Sequence, residues 1–212
     1  MVPYGINDPE GMGADPAQQV EAFYEQAPQL RGRRYLLFMA RIHEKKGCDL
    51  LIDAFARIAG EVPDVDLVMA GPDQAGLQAK LQRQVEHLKI SSRVHWPGML
   101  VGDSKWGAVR GCEAFVLPSH QENFGIAVAD ALACGVIPLI SDKVNIAPDV
   151  AGDGAGFMEP DTLQGTVNLL TRFQALSADR LAAMRQAALH CYQERYALKT
   201  AAQEVYKALG LG

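Results

Sequence analysis

Ala114-Phe115-Val116-Leu117-Pro118-Ser119-His120-Gln121-Glu122-Asn123-Phe124-Gly125-Ile126-Ala127-Val128-Ala129-Asp130-Ala131-Leu132-Ala133-Cys134-Gly135 reads as a strand, a polar loop and a helix in immediate succession. The apolar run Ala114–Leu117 suits a strand buried on both faces, and Pro118 ends it. Residues Ala127–Ala133 are apolar or small on nearly every side, so they are expected to form a buried helix. Between the two, the loop carries an acid, Glu122, and a glycine, Gly125, just before the helix begins. A strand-loop-helix of this kind aims the helix's unpaired N–H groups at the edge of a sheet, where an anionic ligand is welcome. The second acid of the stretch, Asp130, falls eight residues after Glu122.

Outward from this stretch the same alternation repeats. Tyr35–Ala40, Val65–Ala70, Val94–Trp96 and Val136–Ser141 read as further strands, with Phe157–Met158 closing the sheet after turns at Gly152, Gly154 and Gly156. Between the first two, Leu50, Leu51, Ala54, Phe55 and Ile58 recur at helical spacing. Gln74–Leu88 reads as a second helix, with Asp73 as its N-cap. After Pro160 the spacing predicts Leu163–Leu176, then Ala178–Glu194 capped by Ser177, then Ala197–Leu209. Short apolar runs alternating with amphipathic stretches predict an α/β fold: a Rossmann-like parallel sheet flanked by helices, with a C-terminal helical extension. Residues 1–33 are rich in Pro, Gly, Gln and acids, with a weak helical patch at Gln19–Gln26, and read as a surface-hugging connector.

Composition narrows the function classes. A chain of 212 residues, 49% of them hydrophobic, suffices for one large domain with a substantial core. The net charge of −5 argues against a nucleic-acid surface, which needs a basic face. Basic residues do cluster at Arg31, Arg33 and Arg34 and at Lys45 and Lys46. Cys48, Cys112, Cys134 and Cys191 are scattered without a C-x-x-C pair, and three lie in apolar surroundings, which favours reduced packing residues over metal ligands or disulfides. No transmembrane-length apolar run or signal-peptide pattern is visible. A soluble, reducing, cytoplasmic setting is the expectation.

The Pro118–Gly135 segment resembles the donor-site signature of retaining glycosyltransferases with the GT-B fold, the large group-one family. That pattern is Pro-Ser-x-x-Glu-x-Phe-Gly with a second Glu eight residues after the first; here Asp130 stands where the family has that Glu. Arg41-Ile42-His43-Glu44-Lys45-Lys46-Gly47 is similar to the family's Arg-x-x-x-x-Lys-Gly turn, and Leu67-Val68-Met69-Ala70-Gly71 to its second strand. Arg93-Val94-His95-Trp96-Pro97-Gly98 resembles the strand leading to its base-binding loop. Val2-Pro3-Tyr4-Gly5-Ile6-Asn7-Asp8 is similar to the crossover between the two halves of such an enzyme. Four ordered matches across about residues 35–145 make coincidence a poor explanation, where one alone is weak.

The resemblance implies that this chain is the donor-binding half of an enzyme that moves a hexose from a GDP- or UDP-linked sugar to a hydroxyl acceptor. Residues 1–33 would connect from an N-terminal acceptor domain, residues 34–160 would bind the nucleotide sugar, and helices in 161–212 would pack on the same domain. The acceptor, a glycan, lipid or small molecule, would bind through the other half, so this half alone is expected to be inactive. Through that half the resemblance also allows a place at the membrane periphery.

Arg41 and Lys46 follow the first strand and are expected to stabilise the leaving diphosphate; charge-assisted hydrogen bonds to phosphate are worth about 1.5–3 kcal/mol each. By resemblance Glu122 accepts hydrogen bonds from donor-sugar hydroxyls. The N–H groups of Asn123, Phe124, Gly125 and Ile126 could hold sugar or phosphate oxygens. Asp130 would hold the ribose, its oxygens about 1.3–1.5 Å short of a Glu's reach if the backbones coincide. Met99 would flank the base through main-chain groups. His43 and His120 are given no role. No His, Cys and carboxylate grouping has metal-ligand spacing, so no metal or other cofactor is expected. The competing reading is a non-catalytic nucleotide- or sugar-binding module, to which the Asp130 substitution leans. A GT-B epimerase or phosphorylase shares the sheet without predicting the Glu-x-Phe-Gly segment.

Overall fold

The computed structural model describes residues 15–208. The crossover-like segment Val2–Asp8 lies outside them, as do the side chains of Val205 and Tyr206, where sequence suggested an exposed apolar face. Six strands, β1 (Arg34–Met39), β2 (Val65–Ala70), β3 (Val94–Gly98), β4 (Ala114–Leu117), β5 (Ile137–Ser141) and β6 (Phe157–Glu159), form one sheet in the order β3-β2-β1-β4-β5-β6. Every pairing is parallel. The interior strands β2, β4 and β5 are buried along their whole length, as strands covered on both faces must be, whereas β6 at the edge is half-buried.

Right-handed crossovers decide which face each helix covers. The chain steps one way from β1 to β3 through α2 (Cys48–Ile58) and α3 (Gln78–His87). It then returns through α4 (Gly102–Gly111) and continues the other way through α5 (Ile126–Ala133) and α6 (Ala147–Gly152), placing these helices on the opposite face. α7 (Leu163–Gln174) packs beside α2, and α8 (Ala178–Cys191) beside α5. Reversal of winding direction between β1 and β4 creates a crevice at their C-terminal ends, the place where open α/β sheets bind ligands.

Several elements differ from the sequence reading. The connector assigned to residues 1–33 contains α1 (Pro16–Gln26), capped by Asp15, and this helix packs along α4 with Gln19 and Phe23 buried. Phe23, Ala27 and Leu30 belong to the main core, so residues 16–30 are part of the body and not a surface strap. α4 was not anticipated: its two terminal glycines and few apolar residues mask the helical period. The second helix begins at Gln78, not Gln74, because the Asp73 carboxylate accepts from the N–H groups of Leu77 and Gln78 at 2.9 and 3.0 Å and folds the intervening residues into a turn. α8 ends at Cys191, and a π turn over Tyr192–Tyr196 leads into α9 (Leu198–Ala208). Among the described residues no helix is long and apolar enough to cross a membrane.

Candidate functional site

Two loops meet at the β1/β4 crevice, and one close approach joins them. After β1, residues Glu44–Lys46 form a single tight turn that Gly47 ends in the left-handed region, φ +65°. A Cβ on Gly47 would lie 2.1 Å from the Pro118 carbonyl oxygen, so only glycine lets the turn approach the end of β4. The Lys45 carbonyl then accepts from the His120 N–H and from Ser119 Oγ, both at 2.8 Å. His43 Nδ1 accepts from the Lys45 N–H at 3.1 Å, which holds the turn from its other side.

This stitching brings the Lys46 ammonium onto the Glu122 carboxylate in an ion pair. Lys46 is buried, and Glu122 is half-buried. Glu122 is gripped by its backbone as well. Its N–H donates to the Lys143 carbonyl, and its carbonyl accepts from the Asn145 N–H, both at 3.1 Å. The loop after β5 therefore fixes the acid, a contribution that sequence reasoning missed. His120, given no role, pairs through Nδ1 with Asp161 at 2.9 Å and ties the same loop to the segment after β6. That neighbouring imidazole holds the Asp161 carboxyl below its ordinary range.

α5 starts directly beyond Glu122, with Gly125 as N-cap at φ +89°. The N–H groups of Asn123, Gly125 and Ile126 take no acceptor among the described residues, so they remain available to an anion or a hydroxyl. Phe124 meets Tyr196 of the π turn edge-on, ring centroids 5.8 Å apart at 83°. Tyr196 is itself anchored by its hydroxyl, which donates to Asp149 at 3.2 Å.

The remaining expected residues stand at the same sheet edge but outside this cluster. Arg41 is exposed, and its guanidinium makes no hydrogen bond or ion pair among the described residues. Met99 is 60% exposed in the loop between β3 and α4. Its carbonyl accepts from Gln26 Nε2 at 3.3 Å, so α1 braces that loop. Asp130 is buried in α5 and pairs with Lys105 of α4 at 2.7 Å. Burial pushes the Asp130 carboxyl above its ordinary value, against the pull of the Lys105 ammonium. Lys105 carries no signal in the sequence, since its partner lies on another helix. Among the described residues no group of three His, Cys, Asp or Glu side chains gathers as a metal cluster.

A lysine, a carboxylate and a helix N-terminus thus converge at the switch point of a doubly wound α/β domain, where open α/β sheets bind ligands. Residues 20–191 match the family of glycosyl transferases group 1, and the chain belongs to that family. It is 26% identical over 189 residues to the granule-bound starch synthase 1 of Pisum sativum, covering 81% of this chain and 29% of that protein. The Anabaena Alr3699/HepE structure in complex with UDP and glucose superposes with a TM-score of 0.78 at 20% identity, over 93% of this chain and 53% of that one. The C-terminal domain of the glycosyl transferase group 1 family protein LpcC from Francisella tularensis gives 0.72 at 17% identity, over 93% of this chain and 97% of that one. The fold is thus a GT-B glycosyltransferase domain, and the chain spans under a third of the starch synthase it resembles.

Proposed function

We propose that this chain is the nucleotide-sugar-binding half of a retaining glycosyltransferase that moves a hexose from a GDP- or UDP-linked donor to a hydroxyl acceptor. The observation that carries the reading is the meeting of Lys46 and Glu122, from two separate motifs, at the start of α5. In this structure they neutralise one another. A sugar diphosphate can substitute for both partners at once: phosphate oxygens take the Lys46 ammonium, and sugar hydroxyls donate to Glu122. Arg41, free to swing at the same edge, adds a second cation to the diphosphate. As the glycosidic bond breaks, charge accumulates on the leaving diphosphate, so these cations favour the transition state over the bound donor. The free N–H groups of Asn123, Gly125 and Ile126 orient the sugar and phosphate oxygens.

The extent of the LpcC domain supports the view that such a half is a C-terminal unit; on this reading the acceptor is held by an N-terminal partner domain, and the enzyme works in the cytoplasm. On this reading no metal is needed, because Lys46 and Arg41 supply the positive charge. The test is a thermal-shift panel of UDP, GDP, their monophosphates and their hexose-linked forms. A diphosphate at 100-fold over its Kd should add about 2.7 kcal/mol, or several degrees for a domain of this size. Diphosphates that shift the midpoint no more than the monophosphates would refute the reading.

A further inference from the structure

We infer that Lys105, held by Asp130 and seated on Trp106, is the residue through which this chain grips the ribose of its nucleotide. The inference rests on the donor-site reading above and assigns a residue that the glycosyltransferase motifs do not contain.

Three placements lead to it. Lys105 lies in the first turn of α4 and Asp130 in the second turn of α5, and both helices begin at the ligand edge because each follows a strand. On one side of the pair is the α5 start, where the diphosphate would bind. The loop Met99–Val101 leads directly into α4, and Met99 and Val101, 60% and 59% exposed, offer an apolar surface to a base. In a nucleotide the ribose joins those two groups, so it falls at the pair.

The chemistry then distinguishes the two partners. Asp130 is 3% exposed and one methylene shorter than a Glu, so its carboxylate stops short of a vicinal diol held at a Glu's reach. Its visible partner is Lys105 Nζ at 2.7 Å, and Lys105 keeps 26% of its side chain in solvent. The same ammonium stands 4.1 Å from the Trp106 ring centroid. An ammonium has three donors. With one directed to Asp130 and a face covered by the indole, a donor remains for a ribose hydroxyl oxygen. The shortened acid is thereby converted from a ligand contact into the counter-ion that places a cation. Asp130 is a positioning residue here, and its negative charge keeps the subsite neutral overall, so a ribose hydroxyl, and not a further phosphate, is the group it fits.

Calorimetric titration of the whole 212-residue chain with UDP and GDP, and with their 2′-deoxy and 3′-deoxy forms, tests this. Lys105→Met keeps the stem against Trp106 and removes the donor. It should weaken the nucleotide that binds by about tenfold, near 1.4 kcal/mol, while weakening at least one deoxy form by no more than about threefold. Because that variant strands a buried carboxylate, Lys105→Met combined with Asp130→Asn serves as the neutral, folded comparison and should show the same selective loss. Lys105→Arg should restore part of the ribose preference. Equal losses for ribo and both deoxy ligands, or no loss in the double variant, overturn the inference and leave the donor site standing. If the wild-type chain binds neither UDP nor GDP, the donor-site reading falls and takes this one with it.

Discussion

Replacing Gly47 by alanine asks two things of the backbone at once. The residue sits at φ +65°, where an L side chain costs about 1–2 kcal/mol. The new Cβ also lands 2.1 Å from the Pro118 carbonyl oxygen, so one loop must retreat by at least about 1.3 Å to reach ordinary contact. Overpacking of that kind adds about 1–3 kcal/mol, for a total near 2–5. Gly32 supplies an internal control. Its φ is +74°, and a Cβ there meets nothing within 4 Å, so Gly32→Ala should cost only the backbone share, about 1–2 kcal/mol. Urea unfolding at pH 7 compares the two. The same retreat pulls the Lys46 turn from the loop bearing Glu122, so diphosphate affinity should drop at least about tenfold in Gly47→Ala and stay unchanged in Gly32→Ala, since misplaced hydrogen bonds weaken steeply. Equal destabilisation by the two substitutions, with binding intact in both, would refute the claim that this contact assembles the site.

Arg41→Ala should leave the melting temperature within about a degree, because the exposed side chain makes no hydrogen bond or ion pair among the described residues, yet weaken diphosphate binding by about tenfold or more. Glu122→Gln replaces one of the two acceptor oxygens by a donor amide and removes the charge that pairs with Lys46; the affinity advantage of a hexose-linked diphosphate over the bare diphosphate should shrink in calorimetry, with bare diphosphate binding equal or tighter. Tyr196→Phe gives up one hydrogen bond to Asp149 and should lose about 1 kcal/mol, with donor affinity kept. Tyr196→Ala also removes the Phe124 contact and should lose about 3–5 kcal/mol together with donor affinity, as read by melts and titration. Asp66 is buried between Arg33, at 2.7 and 3.0 Å, and His95, at 2.9 Å. Burial raises its carboxyl, but these partners outweigh burial and hold it below the ordinary 3.8. Its stabilisation is therefore present above pH 3.8 and lost as pH falls through the lower folded value. Asp66→Asn should cost about 2–3 kcal/mol at pH 7, the low side of a buried pair because Arg33 is partly solvated, and in melts the gap should begin to narrow below pH 3.8 and close only below the lower folded value.

The strands were legible because a parallel sheet covered on both faces writes each interior strand as a near-continuous apolar run; Val65–Ala70, interrupted only by Asp66, and Ala114–Leu117 were readable to the residue. The helices were less so. α4 buries only Gly107, Ala108 and Val109 and owes its place to α1, a partner far away in the chain. α1 itself has a polar composition, and only Phe23 and Gln19 enter the core. The pairing of Lys46 with Glu122 was approachable from sequence because each lies at a strand end with its own local motif. Lys105, Asn145 and Gln26 were not, since each acts through a partner on another element and leaves no local spacing to read.

The wholly parallel sheet also shapes how the molecule acquires its crevice. β1 and β4 are neighbours, Leu36 pairing with Ala114, yet α2, β2, α3, β3 and α4 lie between them along the chain. Such a distant closure is entropically the hardest to make and slows folding. The pocket is framed by that closure, so a partly folded chain can own several good strands and have nowhere to put a ligand. Ligand capture during refolding should therefore lag behind the appearance of secondary structure and report the final zipping of the sheet's centre.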